Sequence, residues 1–235
     1  MTSPSSDYCE NLVRAGDEDR WLASQYAGES NRRGLIALRA FQLEVARIPQ
    51  SVSEPPLGEI RLQWWRDAFA EIRSGDTPRA HPVIEEFAAT GIADERFEKS
   101  ISAILDAGAQ PLYRGKFQSV DELAKWLADM PAAFDVLAVL YLGAEDCHID
   151  AVRKGSIAYA LARDSMITAP NLSEAAQKKA LDAWSKAKAR IKKLPAEIAP
   201  GYLHTALTPK YVAKGLHPFP IQKRLTLLRA MALGV

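Results

Sequence analysis

Three acids and three arginines share one short stretch with two tryptophans, GEIRLQWWRDAFAEIRS, residues 58–74. Leu62, Trp65, Phe69 and Ile72 fall at i, i+3, i+7 and i+10, so they share an inward helical face, while Gln63, Arg66, Ala70 and Arg73 share a mostly polar one. Trp64, Asp67 and Glu71 lie between the two, where a helix passes from core to cavity or solvent. Asp67 and Glu71 are one turn apart, so both carboxylates sit on one face. Such a pair can hold a magnesium ion through its oxygens or bind a cationic neighbour, here Arg66, Arg73 or Arg163. Pairing is the expected outcome.

Other chemistry-bearing groups are scattered. Asp146 and Asp150 keep an Asp-x-x-x-Asp spacing but follow Leu142-Gly143 at a helix end, where acids cap helices and shape turns. His81, His148, His204 and His217 lie in separate loops or caps with no partner at ligand spacing, so no metal is expected. Cys9 and Cys147 are too few and too far apart for a disulfide framework or a zinc site, which fits a reducing cytoplasm. The basic run Lys186, Lys188, Arg190, Lys192 and Lys193 follows Trp184 on an amphipathic segment. It reads as a solvated face, with peripheral membrane contact as the less common alternative.

The elements that must position these groups are all helical. Residues 17–26 form a short helix bearing Arg20 and Trp21. Residues 32–48 form a stronger one, with Leu35, Leu38, Gln42 and Val45 in one stripe and Ile36, Ala40 and Leu43 in the next, stopped by Pro49. Pro55-Pro56 enter the tryptophan helix, and Gly75 with Pro78 ends it. Helices then follow over 83–89, 96–107 and 120–142, the last capped by Ser119 or Asp121 and kinked at Pro131. Over 151–168, Gly155, Ala158 and Ala162 allow close helix contact. Over 173–193, Ser173 caps a helix whose Ala176, Leu181, Trp184 and Ile191 point inward. Two or three further helices are separated by Pro195, Pro209 and Pro218. No alternating β-branched run and no repeat period is present, so the fold class is all-α.

Composition bounds the rest. A chain of 235 residues with 48% hydrophobic and 25% charged residues can bury one sizeable core. One domain over 17–235 is expected, preceded by a polar disordered tail over 1–16. A net charge of +1 makes no field that would gather nucleic acid. No apolar run nears the roughly 20 residues that span a bilayer, and the first residues resemble neither a signal nor a transit peptide. A cytoplasmic protein is expected, peripheral at the inner membrane at most.

The segment LRAFQLEVARIPQSVSEPPLGEIRLQWWRDAF, residues 38–69, resembles the signature region of the squalene/phytoene synthases, the head-to-head prenyl synthases. The likeness extends from Asp17 to Gly234 and includes LPAEIAPGYLHTALTPKYV and QKRLTLLRAMALG. In active members of that family an aromatic residue precedes an Asp-Asp-x-x-Asp cluster, and a Leu-x-x-Trp frame follows. Here Phe41 and Trp65 hold the framing positions, but the cluster falls on Ala46-Arg47-Ile48-Pro49-Gln50. The segment Ala158-Tyr159-Ala160-Leu161-Ala162-Arg163-Asp164 resembles the helix of the second cluster. Asp164 survives there, and Ser165 to Asn171 replace the remaining acids.

The resemblance implies a single-domain helical bundle of the isoprenoid synthase type around a central cavity. Phe41, Trp64, Trp65 and Tyr159 would line that cavity, and Arg20, Arg66 and Arg163 would be its anion-binding residues. It also implies a divergent branch similar to a mitochondrial complex I assembly factor. Magnesium bound by carboxylates on facing helices would stabilise the departing pyrophosphate in an active enzyme. With those acids replaced, the expected function is a non-catalytic isoprenoid-binding or assembly factor without a cofactor. Its partners would be an isoprenoid lipid or prenyl diphosphate and a protein of respiratory-complex assembly. The alternative is an active prenyltransferase on farnesyl or geranylgeranyl diphosphate, with Mg2+ relocated to Asp67, Glu71 and Asp164. A third reading is a carrier that holds an isoprenoid lipid unchanged.

Overall fold

The computed structural model describes residues 3–234, and among them every regular element is helical. The backbone groups into two compact units, Met1–Trp21 with Gly28–Gly115, and Leu22–Ala27 with Lys116–Val235. The first is built from α1 (Pro4–Gly16), the start of α2 (Glu18–Ser24), α3 (Glu29–Arg47), α4 (Pro55–Ser74), α5 (Pro82–Thr90) and α6 (Glu95–Tyr113).

Helix α3 is the axis of this unit. Every residue from Gly34 to Gln42 is buried, so the two apolar stripes of the sequence merge into a helix covered on all sides. On α4, Leu62, Trp65 and Phe69 are buried and Trp64 is half-buried, as their periodicity predicts. The Phe41 ring centroid lies 5.0 Å from Trp65, 5.1 Å from Phe69 and 5.5 Å from Phe87, which locks α3, α4 and α5 through tilted and edge-on aromatic pairs.

Over Pro4–Gly16 the expected disordered tail is a helix instead; its first two residues lie outside the described ones. Ser3 caps α1 by accepting from the Ser6 amide, and Pro4 sits at the first turn, where its missing N–H costs nothing. Cys9 and Val13 are buried, 1% and 0% exposed, and Tyr8 donates to Glu44 of α3 at 2.8 Å. Buried Glu86 of α5 takes Arg33 of α3 in a fork at 2.5 and 2.8 Å and the Ser3 hydroxyl at 3.0 Å. The inward face of α1 is narrow, with Ser5, Cys9 and Val13 at i, i+4 and i+8, and the polar tethers beside it complete the attachment.

The second unit comprises the end of α2 and α7 (Val120–Asp129), α8 (Pro131–Tyr141), α9 (Asp146–Ala162), α10 (Ser165–Thr168), α11 (Ser173–Ile191), α12 (Thr208–Lys214) and α13 (Pro220–Leu233). Short 3-10 turns join α11 to α12. Helix α9 is central, with Tyr159, Ala160, Leu161 and Ala162 fully buried. The predicted small-residue contact is made by Gly155, where an added Cβ would lie 2.3 Å from Ile191 Cδ1 of α11.

Three expectations are corrected here. The segment 120–142 is two helices, not one kinked helix: the break falls at Met130, whose φ of −118° and ψ of −79° are distorted from ideal helical values, and Pro131, with no N–H to donate, opens α8 in its first turn. Ser173 does not cap α11; its hydroxyl donates to the Pro170 carbonyl. Leu181 is 45% exposed, while Ala176, Ala180, Trp184 and Ala187 carry the inward face.

Candidate functional site

Within the first unit the α4 acids meet a cation that the sequence reading overlooked. Gly75 ends α4 in the left-handed conformation, φ +79°, and the chain doubles back through 76–80. That reversal returns Arg79 to α4. Its guanidinium donates to both oxygens of Glu71, at 2.7 Å from Nε and 2.6 Å from Nη2, and its Nη2 lies 3.9 Å from Asp67 Oδ2. The same group stacks 5.2 Å from the Trp64 ring centroid and donates to the Trp64 carbonyl at 3.4 Å. Asp67 Oδ1 accepts from Gln63 Nε2 at 2.7 Å. The Arg79 hydrogen bonds hold the Glu71 carboxyl below the usual carboxylate range and push the Arg79 pKa up.

His81 follows two residues later and packs edge-on against Trp64 and Trp65, at 5.5 and 5.1 Å between ring centroids. Its Nδ1 accepts from the Val83 amide and so caps α5. Burial pushes this imidazole below its ordinary pKa, against a weaker upward pull from Glu44 and Glu85.

The expected ion pairs are thus redistributed. Arg66 pairs with Asp106 at 2.5 Å and Arg73 with Glu98 at 2.9 Å, both across to α6, over a groove of about 260 Å³ floored by Phe69, Ile101 and Leu105. Neither is the partner of Asp67 or Glu71; Arg79 is. Arg20, 2% exposed, is held by Asp17 at 2.8 Å, and Asp17 also accepts from the Arg20 amide at the start of α2.

In the second unit Arg163 pairs with its neighbour Asp164 at 2.7 Å. Tyr159 is fully buried, its ring centroid 4.7 Å from that of His204. His204 is not the isolated histidine of the sequence reading: its Nε2 lies 3.1 Å from Asp135 Oδ2, both side chains 0% exposed. The partners are 69 residues apart in the chain, so no local spacing could show the pair. Neither Asp146 nor Asp150 is the cap expected of it: Glu145 with His148 forms the capping box of α9, Asp146 stands in the first turn, and Asp150 accepts from Lys154 and Arg190.

The donors do not fit magnesium. That ion demands near-octahedral oxygen ligands at about 2.0–2.1 Å. Both Glu71 oxygens are occupied by the Arg79 fork, Asp67 by Gln63 and Arg79, and Asp164 by Arg163. Among the described residues no group of three or more His, Cys, Asp or Glu side chains is gathered as a metal site would need. Each of the three candidate anion-binding arginines is already engaged by a carboxylate. Phe41 and Trp65 are packed side by side, and none of Phe41, Trp64, Trp65 and Tyr159 borders the groove described above.

A sequence model of the squalene/phytoene synthases matches residues 13–148, more than half of the chain. The chain belongs to the squalene/phytoene synthase family. A solved dehydrosqualene synthase, crystallised with a ligand, has the same fold: TM-score 0.62, with 97% of this chain and 95% of that chain covered at 10% identity. Among curated members, the bovine NADH dehydrogenase (ubiquinone) complex I assembly factor 6 is 29% identical over 148 residues, which is 63% of this chain and 44% of that protein. The human protein of that name is 28% identical over 143 residues, 61% of this chain and 43% of its own. A Drosophila melanogaster homologue is 26% identical over 151 residues, 61% and 44% of the two chains. The match therefore spans less than half the length of these relatives.

Proposed function

We propose that this chain is a non-catalytic squalene/phytoene synthase relative that serves in the assembly of respiratory complex I, with an isoprenoid as the lipid its fold is suited to hold. The observation that carries the first half is the Arg79 fork across Glu71, together with the absence of any carboxylate from 46–50. Ionising an allylic diphosphate builds charge on the leaving pyrophosphate, and stabilising it takes cations free to reach it. On this chain the acids that would gather magnesium are neutralised by an internal guanidinium instead. The name of the bovine, human and fly relatives supports the assembly half.

The purified protein incubated with magnesium and farnesyl or geranylgeranyl diphosphate should release no pyrophosphate above a blank. Sustained turnover abolished by Asp67→Ala would reverse the reading in favour of relocated metal ligands. In the source organism, deletion of the gene should reduce mature complex I on native gels. Unchanged complex I would remove the assembly role and leave the non-catalytic assignment standing.

A further inference from the structure

Helix α13 has two apolar faces, and only one of them is used. Leu227 and Ala230 are buried at 1% and 8% exposure and anchor it to the second unit. On the opposite side Ile221, Leu225 and Leu228 recur at i, i+4 and i+7 and are 74%, 59% and 56% exposed. Ala232 continues the row at i+11 and is also exposed. Contiguous exposed apolar surface of this kind marks an interaction site.

Charge identifies the partner. From Ile198 onward the sequence holds no Asp or Glu at all, against Lys210, Lys214, Lys223, Arg224 and Arg229. On the helical wheel Arg224 flanks the apolar row on one side and Arg229 on the other. Arg229 and Leu233 also border a groove of about 420 Å³ whose far wall is Lys188 and Lys192 of α11, with Lys210 at its end and Trp184 in its floor. On α11, Lys186 and Arg190 are spent on Asp182 and Asp150, so Lys188 and Lys192 are the two that face this groove. An apolar row with cations on both flanks is the form of a helix that lies in the plane of a membrane surface. Among the described residues no helix is long and apolar enough to cross a membrane, so the contact is peripheral.

We infer that α13 is a membrane-docking helix for anionic bilayers: Ile221, Leu225 and Leu228 enter the headgroup boundary, and Arg224, Arg229 and the lysines of the groove bind lipid phosphates. This inference does not depend on the assembly role. Each cation near an anionic surface contributes about a fivefold factor to partitioning, and salt weakens it.

The full-length protein is floated with vesicles of phosphatidylcholine alone and of phosphatidylcholine mixed with phosphatidylglycerol. Binding is expected to the mixed vesicles only and to weaken as salt is raised. Leu225→Glu with Leu228→Glu should abolish it, and Arg224→Gln with Arg229→Gln should lower it roughly twentyfold. These positions are exposed, so circular dichroism should be unchanged. As an independent reading, Leu228→Cys in a Cys147→Ser background, labelled with an environment-sensitive dye, should shift to the blue on mixed vesicles. Equal binding to both vesicle types, binding that survives the Leu225→Glu/Leu228→Glu pair, or a dye that does not shift would each overturn the inference. So would absence of vesicle binding with concentration-dependent self-association removed by the same pair, since the row would then be an interface between copies.

Discussion

Trp64 and Trp65 are adjacent in sequence and unequal in structure. Trp65 is 5% exposed and stacked among Phe41 and Phe69, whereas Trp64 is half-buried and covered by Arg79. Truncating Trp65 to Ala should destabilise the protein by roughly 3–5 kcal/mol, the range for a large aromatic lost from a core. Trp64→Ala should cost clearly less, measured as urea midpoints at unchanged m-value. His81 gives a pH signature. Its folded pKa lies below its unfolded one, so the unfolded chain binds the extra proton; stability is complete above the unfolded value of about 6.5 and is lost as pH falls through it towards the folded pKa. His81→Asn keeps an acceptor for the Val83 amide and removes the titration. The variant should flatten the stability profile between neutral and mildly acidic pH, seen in melts across that range. The inward placing of Trp65 was legible because helical periodicity is local. The partner of Glu71 was not, since Arg79 reaches it only after a chain reversal, and a Gly-x-x-Pro stop four residues earlier was the one signal that the chain folds back.

At the scale of elements, that reversal rests on one glycine. Gly75 has φ +79° and its amide closes α4 onto Glu71 and Ile72. A side chain there is strained whatever room surrounds it, so Gly75→Ala should lower stability by roughly 1–2 kcal/mol in thermal or urea unfolding. The turn also sets Arg79 on Glu71, so the same variant should raise the Glu71 pKa towards the ordinary carboxylate value in an NMR titration. Most helices were readable as helices, since their apolar residues repeat within a few turns. The misreadings have two physical sources. Helix α1 was missed because its inward face, Ser5, Cys9 and Val13, is narrow and partly polar, and because its tethers to Glu44 and Glu86 join residues distant in sequence. Leu181 was placed inward on residue type, but it lies about 100° round the helix from the centre of the buried face formed by Ala176, Ala180, Trp184, Ala187 and Ile191.

For the molecule as a whole, family and fold were legible from different parts of the chain. The family match ends at residue 148, yet the likeness to the dehydrosqualene synthase covers 97% of the chain at 10% identity. Fold therefore persists where sequence pattern has faded, which is expected when burial and helix packing are kept and individual side chains are free to change. The second unit illustrates it, with the buried His204–Asp135 pair set within a core of alanines, leucines and Tyr159. Helix α1 carries one more consequence, a kinetic one. Cys9 is 1% exposed and burial pushes its thiol up to about 12, whereas Cys147 is exposed. A maleimide added to the native protein should therefore consume one thiol at once and the second only as α1 lifts away, so the slow phase is a clock for that opening. Ser3→Ala, which removes the cap and the hydroxyl bonded to Glu86, should speed the slow phase and leave the fast one untouched.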